Sequence, residues 1–336
     1  MRNAKKLLSV LLALTLALGT AAAGVGGLPL RSSAAGTGKA IVLVTGGAAD
    51  FIKGAQQSSV WFGNYMQSSA DSKEPVKWRV LSNADGKLFL LADQNLDVVQ
   101  YYEHETSITW ENSTVRSWLN GDFCSAAFSD AEHAAIPEDT VVNDNNPYYG
   151  TAGGNDTTDQ VFLLSIAEAT TAAYGFPEGY DSADTRKATN TAFVSAGGHT
   201  GTNGMYANGA ADYWWLRSPG DSSNCAAFVT NYGFVADGGN HVDDDNIAVR
   251  PALNIHLNAV LFTSAPAGGK AGSGLTAVSD YDGAEWKLTL LDESRSDFTA
   301  SACRLGDKWV ITYSGATTGE NEKISAMIVN GSGEVT

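Results

Sequence analysis

Apolar and polar side chains alternate from Val76 to Leu81, a turn pair Asp85-Gly86 follows, and an apolar run occupies Leu88–Ala92. That pattern predicts a strand, a two-residue hairpin and a return strand. Downstream the period changes. Val115, Trp118 and Leu119 fall at i, i+3 and i+4 behind Ser113, as in a capped helix. Ser129-x-x-Glu132 and Ser165-x-x-Glu168 have the spacing of capping boxes, each opening a short helix; Gly175 and Pro177 close the second. Val161–Leu164 is apolar enough for a buried strand, and strands return at Trp214–Arg217 and Ile247–Leu253. Residues 139–158 and 195–211 are rich in Asn, Asp, Gly and Thr and are expected as surface loops. The class predicted is α+β, with short helices beside a mainly antiparallel sheet.

The organisation follows from shifts in this pattern. Residues 24–39 are rich in Gly, Ala and Ser, and 263–275 (TSAPAGGKAGSGL) have the composition of a linker. The first folded domain is therefore expected over 40–262. Past the second linker, Trp286–Leu291, Lys308–Tyr313 and Ile324–Val329 alternate, which predicts a small all-β, sandwich-like module over 276–336. At the start, Arg2, Lys5 and Lys6 precede an apolar run from Leu7 to Leu18 and small residues at Ala21 and Ala23. Residues 1–23 thus read as a signal peptide cut after Ala23, with Ala35 the second choice. The expected location is secreted or cell surface, without membrane insertion once the signal is removed.

Composition narrows the function. The chain of 336 residues carries 21 Lys+Arg against 37 Asp+Glu, a net charge of −16. Nucleic acid is a poor partner for such a surface. The three cysteines, Cys124, Cys225 and Cys303, are widely spaced and form no zinc or disulfide framework. The five histidines show no metal-hydrolase spacing, and no nucleophile elbow, phosphate loop or dinucleotide fingerprint occurs. No enzyme activity, catalytic residue, cofactor or metal is expected.

The most informative stretch is 217–252. Between Gly220 and Val249 there is no Lys, Glu, Gln, Met or Trp. Those are the residues that pyrimidine-ending codons cannot encode; everything present can be reached from an Asn codon by changing its adenines. Within the stretch, Ala226, Ala227, Val229, Gly233, Val235, Gly239 and Val242 recur as small or apolar positions. Alternation puts Val229 and Val235 on one face and Phe228, Thr230, Phe234 and Ala236 on the other. Asn231-Tyr232-Gly233 and Asp237-Gly238-Gly239 read as turns. Phe228 and Phe234 are then expected as exposed aromatics, the kind that mark contact surfaces.

WWLRSPG (214–220) followed by AVRPALN (248–254) resembles an extracytoplasmic bacterial domain family with a WWLRSPG…VRPAL signature; FGNY (62–65), VKWRVL (76–81), TWENSTVRSWLN (109–120) and FLLSIAEA (162–169) match it too. The likeness covers roughly residues 50–260. It implies a C-type-lectin fold, similar to that of formylglycine-generating enzymes. Several members resemble the variable proteins of diversity-generating retroelements. On that resemblance the variable, ligand-binding positions are Asp221, Ser222, Ser223, Asn224, Cys225, Phe228, Thr230, Asn231, Tyr232, Phe234, Ala236, Asp237, Gly238, Asn240, His241, Asp243, Asp244, Asp245 and Asn246. The scaffold residues are Trp214, Leu216, Arg217, Val229, Val235, Val242 and Arg250. Ile247-Ala248, where a Gly is expected before the Val, departs from the pattern. The function implied is an exported, receptor- or adhesin-like protein that binds a protein or glycan through a hypervariable surface. Alternatives are an undiversified lectin or adhesion module and, less favoured, a formylglycine-generating-type oxidase. The mixture of Tyr, Phe, Ser, Asn, Asp and Gly is the one antibody loops use. Arg217 and Arg250 are expected in structural salt bridges, Trp110, Trp118, Trp214 and Trp215 in the core, and Asp243–Asn246 as an acidic loop rather than a calcium site.

Overall fold

The computed structural model describes residues 9–15, 41–43, 57–199, 209–264, 284–290, 299–306, 308–314 and 323–329. The architecture is α+β, and the chain divides into two units, 46–259 with 284–286, and 1–45 with 260–283 and 287–336.

Besides two short two-stranded ladders, the larger unit holds two main sheets among its described residues. The first contains β1 (Ser59–Ser69), β2 (Ser72–Ala84) and β3 (Lys87–Ala92). The second begins with β4 (Asp97–Val98). Later strands are β5 (Val161–Phe162), β6 (Trp214–Pro219), β7 (Cys225–Val229), β8 (Val235–His241), β9 (Ala248–Val249) and β10 (Ala252–His256). Within this unit the first sheet runs β1-β2-β3-β10-β5, and the second β8-β7-β6-β9-β4. All neighbours are antiparallel except β6 and β9.

The local signals explain the elements. Asp85 and Gly86 both take positive φ (54° and 72°), which matches a two-residue hairpin to the strand twist. The side chain of Ser113 accepts from the Arg116 amide at 3.2 Å and opens the helix Thr114–Trp118. The chain then continues helically, through a π turn at Leu119–Phe123, into Cys124–Ala127, further than the VRSWL pattern alone predicted. Glu132 accepts from the Ser129 amide at 3.0 Å, and Glu168 from the Ser165 amide at 2.8 Å, so both boxes form.

Residues 139–158 correct the expectation of a plain surface loop. Asp139–Val141 pairs with Thr157–Asp159, and Asn143 and Asn146 are buried. Their amides stand in for backbone partners, so a polar stretch can lie inside.

The four tryptophans expected in the core are buried. Tyr101 links Trp110 and Trp215, with ring centroids 6.2 and 5.8 Å away, and Trp215 in turn meets Phe228 at 6.4 Å. This aromatic chain runs from the helical side of the unit to the second sheet. Arg217 forms its salt bridge, to Glu168, and also donates to the Leu163 carbonyl at 2.7 Å. Arg250 does not follow the expectation: among the described residues it makes no carboxylate pair but donates to the Ala92 carbonyl at 2.8 Å and lies 5.0 Å from the Trp214 ring centroid. Carbonyls and an aromatic face are enough to satisfy a guanidinium in the dry interior.

In the other unit, Val260–Ser264 lies between Ile41–Leu43 and residues 287–290, and Thr299–Leu305 pairs with Lys308–Ser314. Ser9–Thr15, inside the expected signal, pairs in parallel with Lys323–Val329. The 24–39 linker and most of 263–275 lie outside the described residues. Among the described residues no helix is long and apolar enough to cross a membrane.

Candidate functional site

The candidate surface is built on β7 and β8 and the three connections around them. Register pairs Trp215 with Phe228, Phe228 with Ala236, and Cys225 with His241. Between those pairs the register shifts, so that Ala227 stands against Asp237, Gly238 and Gly239. This bulge replaces the turn expected at 237–239; the three residues lie inside a strand. The turn at 231–233 does form: the Thr230 amide donates to the Phe234 carbonyl at 2.9 Å and the Gly233 amide to the Thr230 carbonyl at 2.8 Å.

Burial divides the ribbon sharply. Of the seven framework positions, 226, 227, 229, 233, 235 and 242 are buried and only Gly239 is half-exposed. Of the nineteen candidate ligand positions, none is buried. Asp221, Ser222, Ser223, Tyr232, Phe234, His241 and Asp245 are exposed, and the other twelve are intermediate. The scaffold residues Trp214, Leu216, Val229, Val235, Val242 and Arg250 are fully buried, and Arg217 nearly so.

Two framework glycines are fixed by geometry. Gly233 has φ +77°, and a Cβ there would stand 1.9 Å from the Ala183 carbonyl oxygen. Gly239 has φ +76°, and its Cβ would stand 2.5 Å from the Ala226 carbonyl oxygen. Gly238, a candidate variable position, is free of this constraint: its Cβ would meet nothing closer than Tyr149 Oη at 3.5 Å, an ordinary contact.

Phe228 corrects one expectation. It is half-buried rather than exposed, with Tyr213 at 5.4 Å between centroids and Trp215 opposite. A ring placed across from a buried indole covers it. Phe234 and Tyr232 are the open aromatics of the ribbon, 39% and 64% exposed.

Three segments outside the ribbon hold its edges. Tyr102 donates its amide to the Val242 carbonyl at 2.8 Å, Ile108 to that of Ser223 at 2.9 Å, and Glu105 reaches His241 at 3.1 Å. Val235 donates to the Tyr180 carbonyl at 2.9 Å and Ala183 to that of Gly233 at 3.3 Å. The third segment is tied by Asn146. Its Nδ2 donates to the carbonyls of Pro219 (2.9 Å) and Asp237 (2.8 Å), while its Oδ1 accepts from the amides of Tyr148 and Tyr149, each at 3.0 Å. This buried amide makes all four of its hydrogen bonds.

The sequence profile of DUF6273, a domain of unknown function, matches residues 85–257. The chain belongs to the DUF6273 family. No curated protein and no solved structure matches it. The DUF6273 match contains the whole ribbon and all three segments that hold it.

Within the DUF6273 region there are six Lys and Arg against 24 Asp and Glu. Lys87, Arg116, Lys187 and Arg217 are ion-paired, to Asp139, Asp159, Asp184 and Glu168. Arg186 and Arg250 are fully buried. No described cation of the domain is therefore both exposed and unpaired, and the open surface is anionic. The Tyr149 phenol is pushed above its ordinary value by desolvation first, then by the carboxylates of Asp237 and Asp221. Tyr180 is raised in the same direction by burial and then by Asp237. In the Asp243–Asn246 loop, Asp244 accepts from the Asn246 amide at 3.0 Å and from Asn240. Among the described residues no group of three His, Cys, Asp or Glu is placed to hold a metal ion.

Sequence reasoning missed Asn146, Tyr148, Tyr149, Tyr180 and Glu105. Tyr148 and Tyr149 are 76% and 48% exposed and pack edge to face at 4.8 Å. The visible signal was two adjacent aromatics in an otherwise polar stretch, Asn145-Asn146-Pro147-Tyr148-Tyr149-Gly150.

Proposed function

We propose that this chain is an exported ligand-binding protein, built on a C-type-lectin-like domain, whose ribbon 221–246 is a recognition surface diversified by a retroelement. The observation that carries this reading is the division of the ribbon. Every position that the resemblance assigns as variable has solvent access, while the interleaved framework is buried or, at Gly239, sterically closed. A plain solvated ribbon would also alternate. Solvated faces favour Lys, Glu and Gln. Their absence from nineteen accessible positions supports substitution through pyrimidine-ending codons.

The mechanism is a rigid scaffold with interchangeable side chains. Val229, Val235 and Val242 hold the backbone from inside, Asn146 ties it to the 142–151 segment, and Arg217 anchors the neighbouring strand β6 to Leu163 and Glu168. Affinity then comes from a few aromatics, Tyr232 and Phe234 foremost, with Asp and Asn adding polar discrimination. A protein or glycan partner remains the class proposed, outside the cytoplasm. The oxidase alternative needs a close pair of thiolates, whereas Cys124 is buried, Cys225 is half-buried on the ribbon and Cys303 is exposed in the other unit.

The test is the gene's own locus. Expected is an imperfect copy of the stretch encoding 217–252, differing at adenines, beside a reverse transcriptase gene. Purine-ending codons across the nineteen positions, with no such copy nearby, would overturn diversification.

A further inference from the structure

The open aromatics of this face do not all belong to the ribbon. Tyr148 and Tyr149 lie on a segment outside 221–246, are well exposed, and pack against each other edge to face. They are held in register with the ribbon by one buried group. Asn146 accepts from both of their amides and donates to the carbonyls of Pro219 and Asp237. Thr151 Oγ1 adds a bond to the Asp221 carbonyl at 2.9 Å, and the Asp221 amide donates to the Gly238 carbonyl at 2.8 Å. Tyr149 Oη stands 3.5 Å from where a side chain at position 238 would begin. So the tyrosine pair and variable positions 221, 237 and 238 share one patch. Its geometry does not depend on which residues occupy the variable slots, because Asn146 binds only backbone on the ribbon side.

We propose that Tyr148 and Tyr149 are the fixed half of the contact surface, and that in this chain they act with Asp221 and Asp237 to take an arginine or lysine side chain of a basic polypeptide partner. The proposal rests on the recognition reading above and names its partner. Two features select that chemistry. Aromatic faces attract guanidinium and ammonium groups through their quadrupoles, by about 0.5–2 kcal/mol depending on desolvation. Around the patch, the DUF6273 region presents no exposed, unpaired cation among its described residues, so charge complementarity points to a basic partner. A fixed aromatic pair also gives any variant of the ribbon a base level of affinity, on which the variable residues build selectivity.

The probe is a synthetic twelve-residue peptide of alternating Arg and Gly, with a Gln-for-Arg twin as control, titrated against the full mature chain by calorimetry at 50 mM salt. The Arg peptide should bind at least tenfold tighter than its twin. Y148A/Y149A should lose about tenfold with the net charge unchanged, and Y148F/Y149F, which keep the rings, should stay near wild type. D221N/D237N should also weaken binding. Both tyrosines are exposed, and thermal melts of the variants control for folding. If Y148A/Y149A binds as wild type while Y232A/F234A or D221N/D237N weakens, the fixed half is refuted and the recognition surface stands. Equal binding of the two peptides refutes the basic partner. Binding indifferent to every substitution within 221–246 refutes the recognition surface itself.

Discussion

At Gly239 the chain turns through positive φ against the Ala226 carbonyl, whereas one residue earlier φ is not positive and a side chain would make only ordinary contact with Tyr149. G239A should therefore cost about 3 kcal/mol, since strain and a backbone clash add, while G238S should change stability by less than about 0.5 kcal/mol. Urea unfolding of the two variants decides it; equal costs would mean that the division between framework and free positions has no energetic basis. The same contrast holds between aromatics. F228A should cost about 2 kcal/mol, because it uncovers Trp215 and Tyr213, and Y232A should be near neutral. The Gly pair was told apart in advance by the resemblance, which implies a framework slot at 239 and a variable one at 238. The burial of Phe228 was not legible in the sequence. It depends on the ring opposite it across a strand pair, and cross-strand neighbours are set by register, which alternation alone does not fix.

The elements legible in advance are those whose signals are local. Capping boxes at Ser129 and Ser165 join groups three residues apart, and the Asp85-Gly86 hairpin needs only its own two residues. The segment 142–151 is the opposite case. Asn146 spans 73 and 91 residues to reach Pro219 and Asp237, so its polar composition reads as a loop while its amide closes a tertiary clamp. N146A should leave two carbonyls and two amides without their partner and destabilise by about 2 kcal/mol. More diagnostic is where it acts. Hydrogen exchange at the Tyr148 and Tyr149 amides should speed up by an order of magnitude or more, with little change in β2 and β3. A uniform increase across the larger unit would mean that Asn146 supports the whole fold rather than this one segment.

For the whole molecule, charge is the property that composition and structure read alike. A net −16 from 37 acidic and 21 basic residues could still be neutralised locally if cations were spread over the surface. In the DUF6273 region they are not: two of the six are fully buried and the other four are paired. The remaining carboxylates repel one another across the solvent face, a cost to the compact state that screening relieves. Raising NaCl from 10 to 300 mM should therefore raise the thermal midpoint by a few degrees, followed by tryptophan fluorescence, to which Trp61, Trp78, Trp110, Trp118, Trp214, Trp215 and Trp286 of the larger unit contribute. Exposed ion pairs such as Lys187–Asp184 lose strength over the same range, but each contributes only about 0–1 kcal/mol and they are few. The same salt should weaken the Arg-peptide complex, because screening acts there on attraction instead of repulsion. Opposite signs for folding and binding in one titration are the signature of a face that is anionic by design of the ribbon and its surround; a midpoint that falls with salt would mean that internal pairing, not surface repulsion, dominates the electrostatics of this chain.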